Sequence, residues 1–105
     1  MIKEILGAAA IPSRQARFPD PPPGTYAVYF DEVTADGADG YNCIFTHDCM
    51  VELYEPIQDA SAEAAVEGEL NARGIPWTKQ ARYWLDTVQR YQVIYEFSYI
   101  EKRRN

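Results

Sequence analysis

The sequence predicts an α+β domain: a four-stranded antiparallel sheet made of two hairpins, two helices on one face, in the order α-β-β-α-β-β. Three observations carry this. Tyr91, Val93, Tyr95, Phe97 and Tyr99 alternate with Gln92, Ile94, Glu96, Ser98 and Ile100, the period of a pleated strand with one apolar face. Tyr41 to Tyr54 alternates in the same way, and a strand-like run, Thr25 to Thr34, precedes it across two Asp-Gly pairs, which is turn chemistry. Between the hairpins, Ala62, Ala65, Val66 and Leu70 recur at helical spacing.

Taken in order, Ile2, Ile5, Leu6 and Ala9 make residues 1–11 a short amphipathic helix that Pro12 ends. Residues 12–24 carry four prolines between Phe18 and Gly24 and read as an extended connector. Residues 25–102 form the α+β core of a single domain spanning 1–105. Asp59 or Ser61 caps the second helix, which runs to about Arg73 and is stopped by Gly74 and Pro76. Its Glu63, Glu67 and Asn71 are expected to face water. The last hairpin joins Trp77–Tyr83 to the strand from Tyr91 through a turn at Leu85-Asp86-Thr87.

With 105 residues, 47% hydrophobic and 25% charged, the chain can build its own core without disulfide or metal staples. A net charge of −6 gives no general drive toward phosphate backbones. No apolar run reaches the ~20 residues that span a bilayer, so no membrane partner is expected. The first residues lack a signal peptide's h-region because Glu4 interrupts them. Two cysteines without a signal point to free thiols in a reducing compartment.

No catalytic, cofactor or metal site is expected. Cys43, His47 and Cys49 share one strand face, but at ~3.3 Å per residue the cysteines stand roughly 20 Å apart, beyond disulfide or zinc geometry. Asp31, Glu32, Asp36 and Asp39 lack a calcium-loop register, and His47 has no serine or cysteine that sequence alone places beside it. The second functional reading is a small nucleic-acid-binding or regulatory module, with Lys79, Arg82 and Arg90 interleaved with Trp77, Tyr83, Trp84 and Tyr91.

The segments V-E-L-Y-E-P, E-A-A-V-E-G-E-L-N-A-R-G-I and Y-Q-V-I-Y-E-F-S-Y-I-E-K resemble small proteins of tailed-phage and prophage neck and tail modules, the tail terminator or head–tail joining (tail completion) proteins. The resemblance covers Thr25 to Lys102. It implies a non-enzymatic virion protein that assembles, in the host cytoplasm, as a homo-oligomeric ring of six. The implied partners are the major tail tube protein and the head–tail connector, with passing DNA contacted non-specifically at most. The first hairpin is longer than a helix layer needs, so it should project. Asp36, Gly37, Asp39, Gly40, Tyr41 and Tyr54 are the interface residues expected there.

Overall fold

A computed structural model describes residues 1–37 and 42–104. Helix α1 spans Ile2–Ala8, β1 Ser13–Gln15, β2 Tyr26–Asp36, β3 Asn42–Glu55, α2 Ala60–Ala72, β4 Trp77–Lys79, β5 Tyr83–Leu85 and β6 Arg90–Arg104. The expected four-stranded antiparallel sheet of two hairpins is not what forms. The sheet has six strands in the order β1-β2-β3-β6-β4, with β5 also on β6, and it is mixed because β1 runs parallel to β2.

Two departures produce that result. The connector is not structureless, since Ala16 N donates to Tyr29 O and Ala27 N to Pro12 O. Ser13–Gln15 precede the prolines, so their peptide groups remain free to pair. The run from Trp77 is also not one strand. Lys79 pairs with Tyr95 and Tyr83 with Gln92, a slip of one residue that sets Ala81 and Arg82 together against Val93. That is the count of a β-bulge on an edge strand. The closing turn accordingly lies at Asp86–Gln89, where Gln89 takes φ 53°.

Both helices lie on the face formed by odd-numbered residues of β2, β3 and β6. Ile2, Ile5, Leu6, Val66 and Leu70 share one core with Ala27, Tyr29, Val51, Leu53, Val93, Tyr95 and Phe97, and each fully buried large aliphatic contributes about 1.5–3 kcal/mol. Asp59 caps α2 by accepting from Ala62 N at 3.0 Å. Its C-terminus closes on Gly74 at φ 68°, with Ile75 N donating to Leu70 O. Helix α1 ends by the same device at Ala10, φ 58°, with Ile11 N donating to Leu6 O, so it stops before Pro12 is reached.

Charge also ties α2 to the sheet. Glu63, expected in water, is buried against the sheet. Its oxygens take Lys79 Nζ at 2.7 Å and Arg82 Nη2 at 2.6 Å. Lys79 also reaches Glu67 Oε2 at 2.8 Å, and Tyr95 Oη donates to that oxygen at 2.6 Å. The bulge is what turns Arg82 toward the helix. Glu55, at the end of β3, is wholly buried; its Oε1 accepts from Asp59 N, while Oε2 has no donor among the described residues. Burial, then the neighbouring Glu63, pushes the Glu55 carboxyl above its ordinary 4.5. Burial also works against charge on Glu63, but hydrogen bonds from Arg82 and Lys79 outweigh it and hold that carboxyl low. Glu55 is the acid of the pair and Glu63 the carboxylate.

Glu55 binds its proton more tightly folded than unfolded. Its stabilisation is therefore full below about pH 4.5 and is lost as the pH climbs through its raised folded value. Glu55→Gln, which mimics the neutral acid, is expected to leave urea stability nearly unchanged at pH 4.5 and to raise it at pH 8. Glu63→Gln is expected to cost about 2–3 kcal/mol at neutral pH, less than a fully buried pair because the cations keep part of their hydration.

Candidate assembly surface

Strands β2, β3 and β6 continue past the helices as a three-stranded arm. Every residue from Asn42 to Glu55 on β3 is paired with β6, and Ile44 to Tyr54 also with β2. The molecule measures 50 × 27 × 22 Å, its long axis set by these strands. Beyond His47 the burial falls away. Val33 is 51% exposed, Ile44 40% and Ile100 62%, apolar β-branched side chains that no helix covers.

At the root of the arm one residue from each strand meets on the helix-side face. His47 on β3 is buried. Its Nδ1 lies 2.9 Å from Asp31 Oδ1 on β2, its Nε2 2.9 Å from Glu101 Oε1 on β6, and the Tyr99 ring stacks on it at 4.3 Å. Both ring nitrogens face carboxylate oxygens, so both contacts are favourable only when both carry hydrogen, as in the imidazolium. Burial of the ring opposes that charge, yet the hydrogen bonds to Glu101 and Asp31, with their negative charges, raise His47 above its ordinary 6.5. Cys49 Sγ sits 3.7 Å from Asp31 Oδ1. Burial first, and Asp31 second, push its thiol up to about 12, which leaves it inert as a nucleophile. The strand runs unbroken from Asn42 to Glu55, so no turn at Thr46–Asp48 draws Cys43 toward Cys49.

On the opposite face the connector covers the β1 end, where Tyr26 and Val28 are buried and Phe18 packs edge-on against Tyr26; past it no helix covers the sheet. Phe30, Met50, Glu32, Asp48, Glu52 and Glu96 line a groove of about 440 Å³ there. None of those four carboxylates has an ion-pair partner among the described residues; Asp48, Glu52 and Glu96 accept instead from Ser98, Tyr54 and Gln80.

The expected interface residues do not make one patch. Asp36 and Gly37 are exposed at the far end of β2. Tyr54 pairs with Tyr26 and Gln92 at the other end of the hairpin, its ring stacked on Tyr26 at 5.1 Å. Asp39, Gly40 and Tyr41 lie outside the described residues. The basic side chains of the nucleic-acid reading are scattered and engaged. Lys79 and Arg82 serve Glu63, and Arg90 donates to the Pro22 and Pro23 carbonyls. Of the aromatics, Trp77 packs edge-on against Tyr95 and Trp84 against Tyr91. Sequence reasoning missed the Asp31–His47–Glu101 contact. Its trace was there: Glu101 extends the inward series Tyr91–Tyr99 by one step, and Asp31 extends Ala27 and Tyr29.

A histidine raised above 6.5 contributes stability that is complete below that pH and is lost as the pH rises through the folded value. His47→Gln is expected to cost about 1–3 kcal/mol at pH 5.5 and clearly less at pH 8.5, read by urea unfolding. The ring should titrate above 6.5 by NMR; titration below it contradicts the imidazolium assignment.

The chain matches no protein-family model and no curated protein.

Proposed function

We propose that the chain is a structural protein of a tailed phage or prophage, a ring subunit that terminates the tail tube and joins it to the head connector. The observation that carries the reading is the arm. Half the length of three strands stands clear of the helices with apolar side chains in solvent, an arrangement that favours a protein neighbour. The uncovered face supports it. In a ring with the helices outward, Glu32, Asp48, Glu52 and Glu96 line the channel, where they repel phosphates and let DNA slide through. The number of subunits, six, comes from the sequence resemblance, as do the tube and connector partners.

The test uses the whole chain and a polymerising tail tube protein. Added chain is expected to stop elongation and to leave capped tube ends in negative-stain images. Asp36→Lys with Asp39→Lys should weaken capping while the monomer's melting temperature stays nearly unchanged. Tubes that elongate unaltered in the presence of the chain would overturn the reading.

A further inference from the structure

The arm's two outer strands hang on β3 by separate hydrogen bonds. On β2, Ala27 N donates to Pro12 O and Tyr29 O accepts from Ala16 N, so odd-numbered peptide groups face β1 and even-numbered ones face β3. On β6, Ile94 O accepts from Gln80 N, so even-numbered groups face out and odd-numbered ones face β3. The alternation divides the amides of β3 between its two neighbours. Phe45 and His47 pair with Glu101 and Tyr99 of β6, whereas Thr46 and Asp48 pair with Thr34 and Glu32 of β2. Beyond Phe97, where β4 ends, β6 has β3 as its one strand neighbour among the described residues.

At the root of the arm the His47 imidazolium holds both neighbours at once. Asp31 meets Nδ1 with both oxygens, at 2.9 and 3.0 Å, and its side chain is 20% exposed. Glu101 meets Nε2 with one oxygen at 2.9 Å and is 36% exposed. A neutral imidazole has one hydrogen to give. It is worth more on Nδ1, because the more deeply set carboxylate loses more when left without a donor. Nε2 then turns a lone pair toward Glu101, and the positive charge between the two carboxylates is gone. Tyr99, stacked on the imidazole at 4.3 Å, loses the attraction of a π face for a cation. Glu101 and Tyr99 both belong to β6, so the loss of one proton falls on that strand.

We infer that Asp31–His47–Glu101 is a proton-operated clasp, which in its neutral state keeps β2 on β3 and releases the end of β6 from Tyr99 onward. The clasp belongs to the single chain and does not depend on the ring. A recess of about 410 Å³, lined by Met1, Tyr99, Ile100 and Glu101, opens onto the imidazole and gives solvent protons access. The other titratable groups around the contact are the Cys49 thiol on β3, the Tyr99 hydroxyl on β6 and, from α1, the Met1 amino group, held by Glu4 at 2.6 Å. Burial pushes the thiol and the hydroxyl each up to about 12, so both keep their hydrogens through pH 8.5. His47 is raised above 6.5; the hold on β6 is complete below that pH and is lost as the pH rises through the folded value. Tyr95 and Phe97, under the helices, stay in place, so the opening is local to the arm.

The experiment follows amide hydrogen exchange of the full chain, residue by residue by NMR, at pH 5.5 and 8.5, with each rate divided by the intrinsic rate of that amide. Protection of Phe45, Tyr99 and Glu101 is expected to fall several-fold between the two. Thr34, Thr46 and Asp48, which report the β2 ladder, should change little, as should Leu53 and Val93 in the core. Glu101→Gln offers Nε2 an acceptor when it carries hydrogen and a donor when it does not, so it should keep β6 protected at both pH values. His47→Gln should remove the pH step altogether. A fall shared equally by the two ladders, a fall confined to the β2 ladder, or no fall at all overturns the clasp. A step that survives in His47→Gln belongs to another group, such as the Met1 amine, and overturns it as well. So does a step that survives in Glu101→Gln.

Discussion

Strand β3 is hydrogen-bonded along all 14 of its residues to β6 and along most of them to β2, and this one ladder governs the rest. At ~3.3 Å per residue it is roughly 46 Å long. The longer helix has 13 residues, about 20 Å at 1.5 Å each. No arrangement of that helix along the strands can cover more than half of them. Helix α1, packed beside α2 over the same end, leaves a core at one end and an uncovered arm at the other. The apolar series Val51, Leu53, Val93, Tyr95 and Phe97 is buried where the helices reach, and it stops where they stop.

Past the helices, the arm must be ordered without a hydrophobic layer on either face. The inward series therefore changes chemistry at the boundary. Asp31, His47 and Glu101 replace aliphatic groups and tie three strands with two charge-assisted hydrogen bonds. The same substitution occurs at the other end of the core, where Glu55, Glu63 and Glu67 are held by Arg82, Lys79 and Tyr95. The first cluster lies past the helices and the second along the α2 side of the sheet, and each contains one group whose proton affinity is raised by the fold. Glu55 and His47 each bind protons more tightly in the fold, so their contributions are lost as pH rises, whereas those of Glu63 and Glu67, held low, are lost in acid.

What was legible from sequence is what local rules determine. Asp59 and Gly74 bound α2 as their capping chemistry requires, and odd-numbered Tyr91 to Tyr99 face the helices because the pleat has a period of two. What failed depends on partners distant in the chain. Nothing local in Ser13–Gln15 announces a parallel partner fourteen residues on. The bulge at Ala81–Arg82 turns Arg82 toward Glu63, a contact across 19 residues. Glu63 itself reads as a solvent residue by type, and only the convergence of Lys79 and Arg82 makes its burial tolerable. The projecting hairpin follows from strand length, and the pairing register sets Asp36 and Tyr54, both expected at an interface, at its opposite ends.

The net charge of −6 is not spread evenly. The inward carboxylates Asp31, Glu63 and Glu67 have cationic partners, and burial raises Glu55 so that it carries less than a full charge. Glu32, Asp48, Glu52 and Glu96, on the uncovered face, pair with no cation among the described residues. An excess left on one face of a sheet is costly to the folded monomer through self-repulsion, so folding alone gives no reason for it. The same four groups set along a channel give that excess a use against a polyanion. In the ring proposed above, charge that adds nothing to the core acts on what passes through the channel.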